Sequence, residues 1–167
     1  MKYVYWDSCC FIDYLQGTER GEVLKGVVDK MEQGELTIVT SAITITEVIK
    51  LGAGSPEERK LIVDSFATDE GLLVIDLTKH LAEEARDVIW KYSMQKHKWD
   101  AIHLASAIYV SQYHPIDEIH SFDHDLLKLN GSQDIPIPII EPTFELYPPK
   151  PDKLFDDSNM DGNDGMT

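Results

Sequence analysis

The chain is short of cysteine, of basic residues to balance its acids, and of long apolar runs. Each shortage excludes something. Its only two cysteines, Cys9 and Cys10, are neighbours. A disulfide between adjacent residues is strained and no distant partner exists, so the pair reads as buried thiols in a reducing cytoplasm. The C-x-x-C spacing of a redox pair is also missing. No stretch approaches the roughly 20 apolar residues that a membrane helix requires. "MKYVYWD" lacks the apolar segment and small-residue cleavage site of a secretory signal. Lysine and arginine number 15 against 30 aspartates and glutamates, a net charge of -15. That argues against a broad basic surface for nucleic acid. Residues 152–167 hold five Asp and one Lys, a contribution of -4, so -11 belongs to the rest of the chain.

What is present is an alternation of strand and helix patterns. "KYVYW" (2–6), "LTIVT" (36–40), "LLVIDL" (72–77) and "EIHSF" (118–122) are short β-branched and aromatic runs, hence strands. Residues 135–140 form a possible edge strand, given their prolines. Between them, "CCFIDYLQG" and "ERGEVLKGVVDKMEQG" predict helices closed near Gly17 and Gly34. "SPEERKLIVDSFA" (55–67), residues 78–94, "WDAIHLASAIYVSQY" and "DHDLLKLN" predict four more. "SAITITEVIKLG" is ambiguous, because its Ile-Thr alternation suits a strand, but Ser41 can cap a helix and Gly52 can end one. It is read as helix. The order predicts an α/β fold, a parallel sheet with helices on both faces. Residues 1–142 are expected to form the domain. Residues 143–167 form an acidic tail rich in Pro, Asp and Gly, expected to be disordered.

In open α/β sheets, sites form beyond the carboxyl ends of the strands. Asp7 follows the first strand and Asp123 the fourth. Either alone is explained by a helix N-cap. Glu47 follows the second strand by a few residues, and a solvated helix position would explain it. Asp100 opens a helix whose Ala101, Leu104, Ala105 and Ile108 leave little exposed surface, where a carboxylate is rare without a partner. Four carboxylates at one sheet end repel unless cations neutralise them. Carboxylate oxygens suit Mg2+ or Mn2+, which activate water for phosphodiester hydrolysis.

"YVYWDSCCFIDYL", "ITITEVIKLG", "KWDAIHLASAI" and "IHSFDHDLLKL", followed by "PIPIIEP", resemble in order and spacing the PIN-domain nucleases, most of all the VapC-type toxins of toxin–antitoxin systems. The resemblance covers about residues 2–142 and implies a three-layer α/β/α sandwich with a central parallel sheet of four to five strands. It also implies a metal-dependent endoribonuclease with Mg2+ or Mn2+, an antitoxin partner and a homodimer. The family's metal-binding acids fall on Asp7, Glu47, Asp100 and Asp123. Asp125 matches a less constant acid in the same loop, and Ser8 a hydroxyl residue that orients ligands or water.

Other residues have plainer readings. His120 and His124 have zinc-like spacing but straddle a strand end and lack a cysteine pair. His103, one turn beyond Asp100, reads as a packed or solvent-tipped histidine. Trp99 could stack on a base, and Lys50, Lys96 and Lys98 could touch phosphate, although rim aromatics and solvated lysines are commoner. An aspartyl phosphatase would need a second Asp two residues after the nucleophile. Asp7 lacks it, and Asp123-His124-Asp125 has it too late in the chain. An inactive PIN-like binding module is the remaining alternative.

Overall fold

The computed structural model describes residues 1–48, 55–57, 60, 64 and 71–150. Five strands, β1 (Lys2–Trp6), β2 (Leu36–Ser41), β3 (Leu72–Ile75), β4 (Glu118–His120) and β5 (Ile139–Ile140), form one sheet in the order β3-β2-β1-β4-β5. Every pairing is parallel, with Val4 opposite both Ile38 and Glu118. Parallel neighbours require crossovers, which the helices supply. These are α1 (Ser8–Gln16), α2 (Glu19–Glu32), α3 (Ile43–Glu47), α4 (Lys79–Lys91), α5 (Lys98–Ser111) and α6 (His124–Leu127).

Side chains alternate across a strand, and β1 shows the consequence. Val4 and Trp6 pack with Ile38 against Leu24, Val27, Val28 and Met31 of α2. Tyr5 points the other way, with Val39, Ile119 and Ile139, onto Leu104, Ala107 and Val110 of α5. The outer helix α4 joins through Leu81 and Ala85 against Ala105. This is the three-layer α/β/α sandwich with a parallel sheet that the sequence predicts.

Three local expectations need correction. Ser41 is the last residue of β2, paired with Ile75, and its hydroxyl accepts from the Ile43 amide at 3.4 Å, while Ala42 holds the N-cap position without a side-chain bond. α3 is only one turn long, its β-branched threonines tied down by Thr40–Thr44 and Thr46–Ile43 hydrogen bonds. The edge strand spans two residues rather than six, because prolines at 136 and 138 cannot donate to a ladder. The folded body also runs past residue 142: Tyr147 is 2% exposed within the α2 core. A Cβ on Gly26 would lie 2.2 Å from the Tyr147 carbonyl oxygen, so glycine permits this approach. Of the helix predicted at 55–67, Pro56, Glu57, Lys60 and Asp64 are helical. Residues 58–59, 61–63 and 65–67 of that segment, Lys50, Gly52 and residues 151–167 lie outside the described residues.

Candidate metal centre

All strands being parallel, their carboxyl ends share one edge, and β1 and β4 are neighbours there. Asp7 leaves β1 as the N-cap of α1, accepting from the Cys10 amide at 3.2 Å. It is buried, and its carboxylate also accepts from the Cys9 thiol at 2.8 Å and from the Ser121 hydroxyl. Asp123 leaves β4 as the N-cap of α6, accepting from the amides of Asp125 and Leu126 at 2.7 and 3.1 Å. The Ser121 hydroxyl accepts from the Asp123 amide at 2.9 Å, so one serine ties the two strand ends together. The capping explanation is therefore correct for both acids, and does not exclude a site.

Asp100 sits half-buried in the first turn of α5. Its carboxyl is pushed up to about 6, first by burial and then by the charges of Asp123 and Asp7, against the smaller opposing influence of His103 and His97. The charges of Asp123 and Asp7 both act on the Asp100 carboxyl, as nearby like charges do. Asp7, Asp100 and Asp123 therefore share the carboxyl edge of the sheet, near enough for the first and last to act on Asp100.

Glu47 joins through an intermediary. Its Oε2 lies 2.9 Å from Nε2 of His103, whose Nδ1 lies 3.0 Å from the Tyr5 hydroxyl. Burial holds the Tyr5 phenol well above its usual range. Its O–H therefore donates to Nδ1, and the Nε2–H donates to Glu47. His103 is almost fully buried. The sequence placed it one turn from Asp100 without showing that it would hold Glu47.

Asp125 stands at the rim. It pairs with Lys128 at 2.5 Å and with His97 Nε2 at 3.3 Å, and Lys128 holds its carboxyl below the usual range. His97 Nδ1 is 3.3 Å from Asp100, so this imidazole bridges the inner and outer acids. Ser8 is half-buried at the start of α1, and the hydroxyl that meets Asp7 is that of Ser121. A serine two residues before Asp123 was the available signal. Lys96, Lys98 and Trp99 are exposed, Trp99 by 55%. His120 is fully buried, with Nδ1 accepting from the Trp6 indole and Nε2 bonded to Glu118, so neither nitrogen is left for zinc.

Among the described residues, one trio of ligand-type atoms falls within 4.8 Å of one another: the Asp7 carboxylate with the Cys9 and Cys10 thiols. A soft metal does not fit there, because burial pushes the Cys10 thiol well up and its proton lies toward the His120 carbonyl. The acids instead offer hard oxygens in an open arrangement. This suits Mg2+, which takes one or two carboxylates and keeps several waters.

The PIN-domain family model matches residues 4–131. No curated protein matches the chain. Solved structures do. VapC20 of Mycobacterium tuberculosis, a sarcin–ricin-loop-cleaving toxin, is 18% identical with a TM-score of 0.54, over 74% of this chain and 92% of that one. VapBC2 of Rickettsia felis, bound to a fragment of its promoter DNA, is 12% identical with a TM-score of 0.53, over 83% and 98%. A toxin–antitoxin complex from Klebsiella pneumoniae is 19% identical with a TM-score of 0.51, over 84% and 98%. Identities this low speak for a shared fold. The family match runs from the centre of β1 through all five acids to the residues beyond α6, and this chain belongs to the PIN-domain family.

Proposed function

We propose that the protein is a metal-dependent endoribonuclease of the toxin type, hydrolysing RNA phosphodiesters with metal-activated water. The observation that supports this is Asp100 at the same sheet edge as Asp7 and Asp123, its carboxyl raised to about 6 first by burial and then by their charges. Such an arrangement is electrostatically incomplete without a cation. Asp7, Asp100 and Asp123 are the groups that would hold Mg2+ or Mn2+, with Asp125 in support. When bound, the ion lowers the pKa of water and neutralises charge on the phosphate. Glu47, oriented by His103 through Oε2, would use Oε1 to orient or deprotonate a water. Ser121 fixes the Asp7 carboxylate in place.

The VapBC2 and Klebsiella structures are toxin–antitoxin assemblies, which supports an antitoxin as partner here. A homodimer and a cytoplasmic setting belong to the same reading. The test is sequencing of RNA ends after exposure to purified protein with Mg2+, with Mn2+, or with chelator, beside an Asp100→Asn control. New ends that need metal and vanish in the control are expected. Equal ends from parent and control would overturn the assignment. Absence of both metal binding by calorimetry and RNA cleavage would make the chain an inactive binding module.

A further inference from the structure

Between the end of α4 and α6 lies a cavity of about 300 Å³, lined by Tyr92, Ser93, Met94, Leu129, His97 and Asp125 with its partner Lys128. That is the lower end of the range for small-molecule sites. We propose that it binds one unstacked, amino-bearing nucleobase of the RNA beside the cut. Its use in cleavage rests on the ribonuclease reading above; base binding itself does not.

Position comes first. His97 lines the cavity and reaches Asp100 with Nδ1 and Asp125 with Nε2, both at 3.3 Å. The cavity therefore begins one side chain away from the acids that would hold the metal. A nucleotide with its phosphate at those acids has its neighbouring base within reach.

The walls suit a flat heterocycle. Tyr92 and Leu129 are half-buried and Met94 is buried, so their ring and aliphatic faces can cover the base planes. The loop is fixed by a helix-ending turn in which the Met94 amide bonds to the Ile89 carbonyl at 2.9 Å. Ser93 takes the left-handed position of that turn at φ 57, where glycine would be free of strain. A serine there brings a hydroxyl to a rigid wall. The Asp125 carboxylate at the other side, met by Lys128 at Oδ1 and by His97 at Oδ2, keeps a further lone pair on each oxygen to accept from a base amino group. Adenine, guanine and cytosine carry such a group, and uracil does not.

The test is an amide NMR titration of the full chain with the four ribonucleoside 5′-monophosphates, using ribose 5-phosphate as the base-free control. Saturable shifts at Ser93, Met94 and Leu129 are expected with at least one amino-bearing nucleotide. Binding of uridine monophosphate should be about fivefold weaker or worse, and ribose phosphate should leave these amides unmoved. Leu129→Trp, which fills the cavity, should abolish the shifts. Should that variant fail to fold, Ser93→Gly relieves the backbone and should weaken binding severalfold. Shifts absent for every nucleotide, equal with ribose phosphate, as strong with uridine monophosphate, or insensitive to the folded variants would overturn the pocket. Shifts as expected without RNA cleavage would support the pocket and sink only the ribonuclease reading.

Discussion

Two acidic groups, Asp100 on helix α5 and Glu118 on strand β4, sit in opposite surroundings. At the carboxyl edge, Asp100 is pushed up to about 6 by burial and by Asp123 and Asp7. Near the start of β4, Glu118 is pulled down to about 2, chiefly by the hydrogen bond from His120, with Lys2 and Tyr147 adding to it against burial. Its oxygens lie 2.7 Å from Lys2 Nζ, 2.6 Å from the Tyr147 hydroxyl and 2.9 Å from His120 Nε2. Burial keeps His120 neutral, its pKa lowered. The Glu118 charge is therefore met by donors from β1, β4 and the C-terminal segment. A carboxylate met by cationic and hydroxyl donors holds a fold together, whereas an acid set among like charges is kept at a cost that a cation can offset.

The largest expected effect is at the acidic carboxyl edge. Asp100→Asn should lower metal-dependent cleavage by at least about a hundredfold, the upper end of what loss of a mere outer partner does to a metal site. In chelator the same variant should be more stable than the parent. The sign follows from the raised value: a carboxyl near 3.8 unfolded and about 6 folded loses stability as pH rises between them, and the penalty is complete above 6. Thermal melts at pH 7 should show a gain on the order of 2 kcal/mol that vanishes below pH 4. A loss of stability at pH 7 would mean that His97 and His103 outweigh burial and the neighbouring acids at Asp100.

Glu118→Gln imitates the protonated acid and should behave in mirror image. A folded pKa lowered from 4.5 to about 2 contributes stability that is present above 4.5 and lost as pH falls through about 2. The variant should be weaker than the parent by on the order of 2 kcal/mol at pH 7, after allowing for the partial exposure of Glu118 and Lys2. The two should converge near pH 2 in urea titrations. A deficit that does not change with pH would show that the side chain's shape matters rather than its charge.

His103→Gln tests whether the acidic edge relies on one relay. It should reduce cleavage by about 10- to 100-fold, as loss of an orienting partner does. Glu47→Gln added to it should cost little further, because the two act as one unit. Fully additive losses in the double-mutant cycle would separate Glu47 from His103.

The legible and the illegible parts of the molecule divide along a similar line. Periodicity located β1, β2, α2, α4 and α5, because each buries a stripe or a face that its own residues spell out. The positions of Asp7 and Asp123 at strand ends, and of Asp100 in an apolar helix, pointed to one edge of the sheet. Contacts between distant segments left no such trace. His103 meets Glu47 across 56 positions, Ser121 meets Asp7 across 114, and Tyr147 meets Lys2 across 145. α3 was read too long because its helical ends were inferred from Ser41 and Gly52, whereas sheet pairing with Ile75 claims Ser41 for β2. The C-terminal boundary was set too early for a related reason. Composition beyond residue 142 is polar on average, and one tyrosine among prolines does not change that average.

That tyrosine carries the smallest expected effect. Tyr147 stacks edge-on against His120, with ring centroids 5.1 Å apart, and its hydroxyl accepts from Lys2 at 2.7 Å while donating to Glu118 at 2.6 Å. Tyr147→Phe keeps the ring, its burial and the close fit over Gly26, and removes only the hydroxyl. Glu118 would retain His120 and Lys2, so its charge stays compensated. The expected loss is about 1 kcal/mol, that of one hydrogen bond to a charged group already bonded elsewhere. Cleavage should be unchanged, because Tyr147 touches none of the acids at the carboxyl edge. Tyr147→Ala, by contrast, should cost about 3 kcal/mol or more through the cavity left beside Trp6 and Leu24. If Tyr147→Phe destabilises as strongly as Tyr147→Ala, the hydroxyl rather than the ring fastens the C-terminal segment, and Glu118 depends on it more than on Lys2. If neither substitution shifts the melting temperature, the segment contributes nothing to the fold, and His120 and Lys2 alone satisfy Glu118.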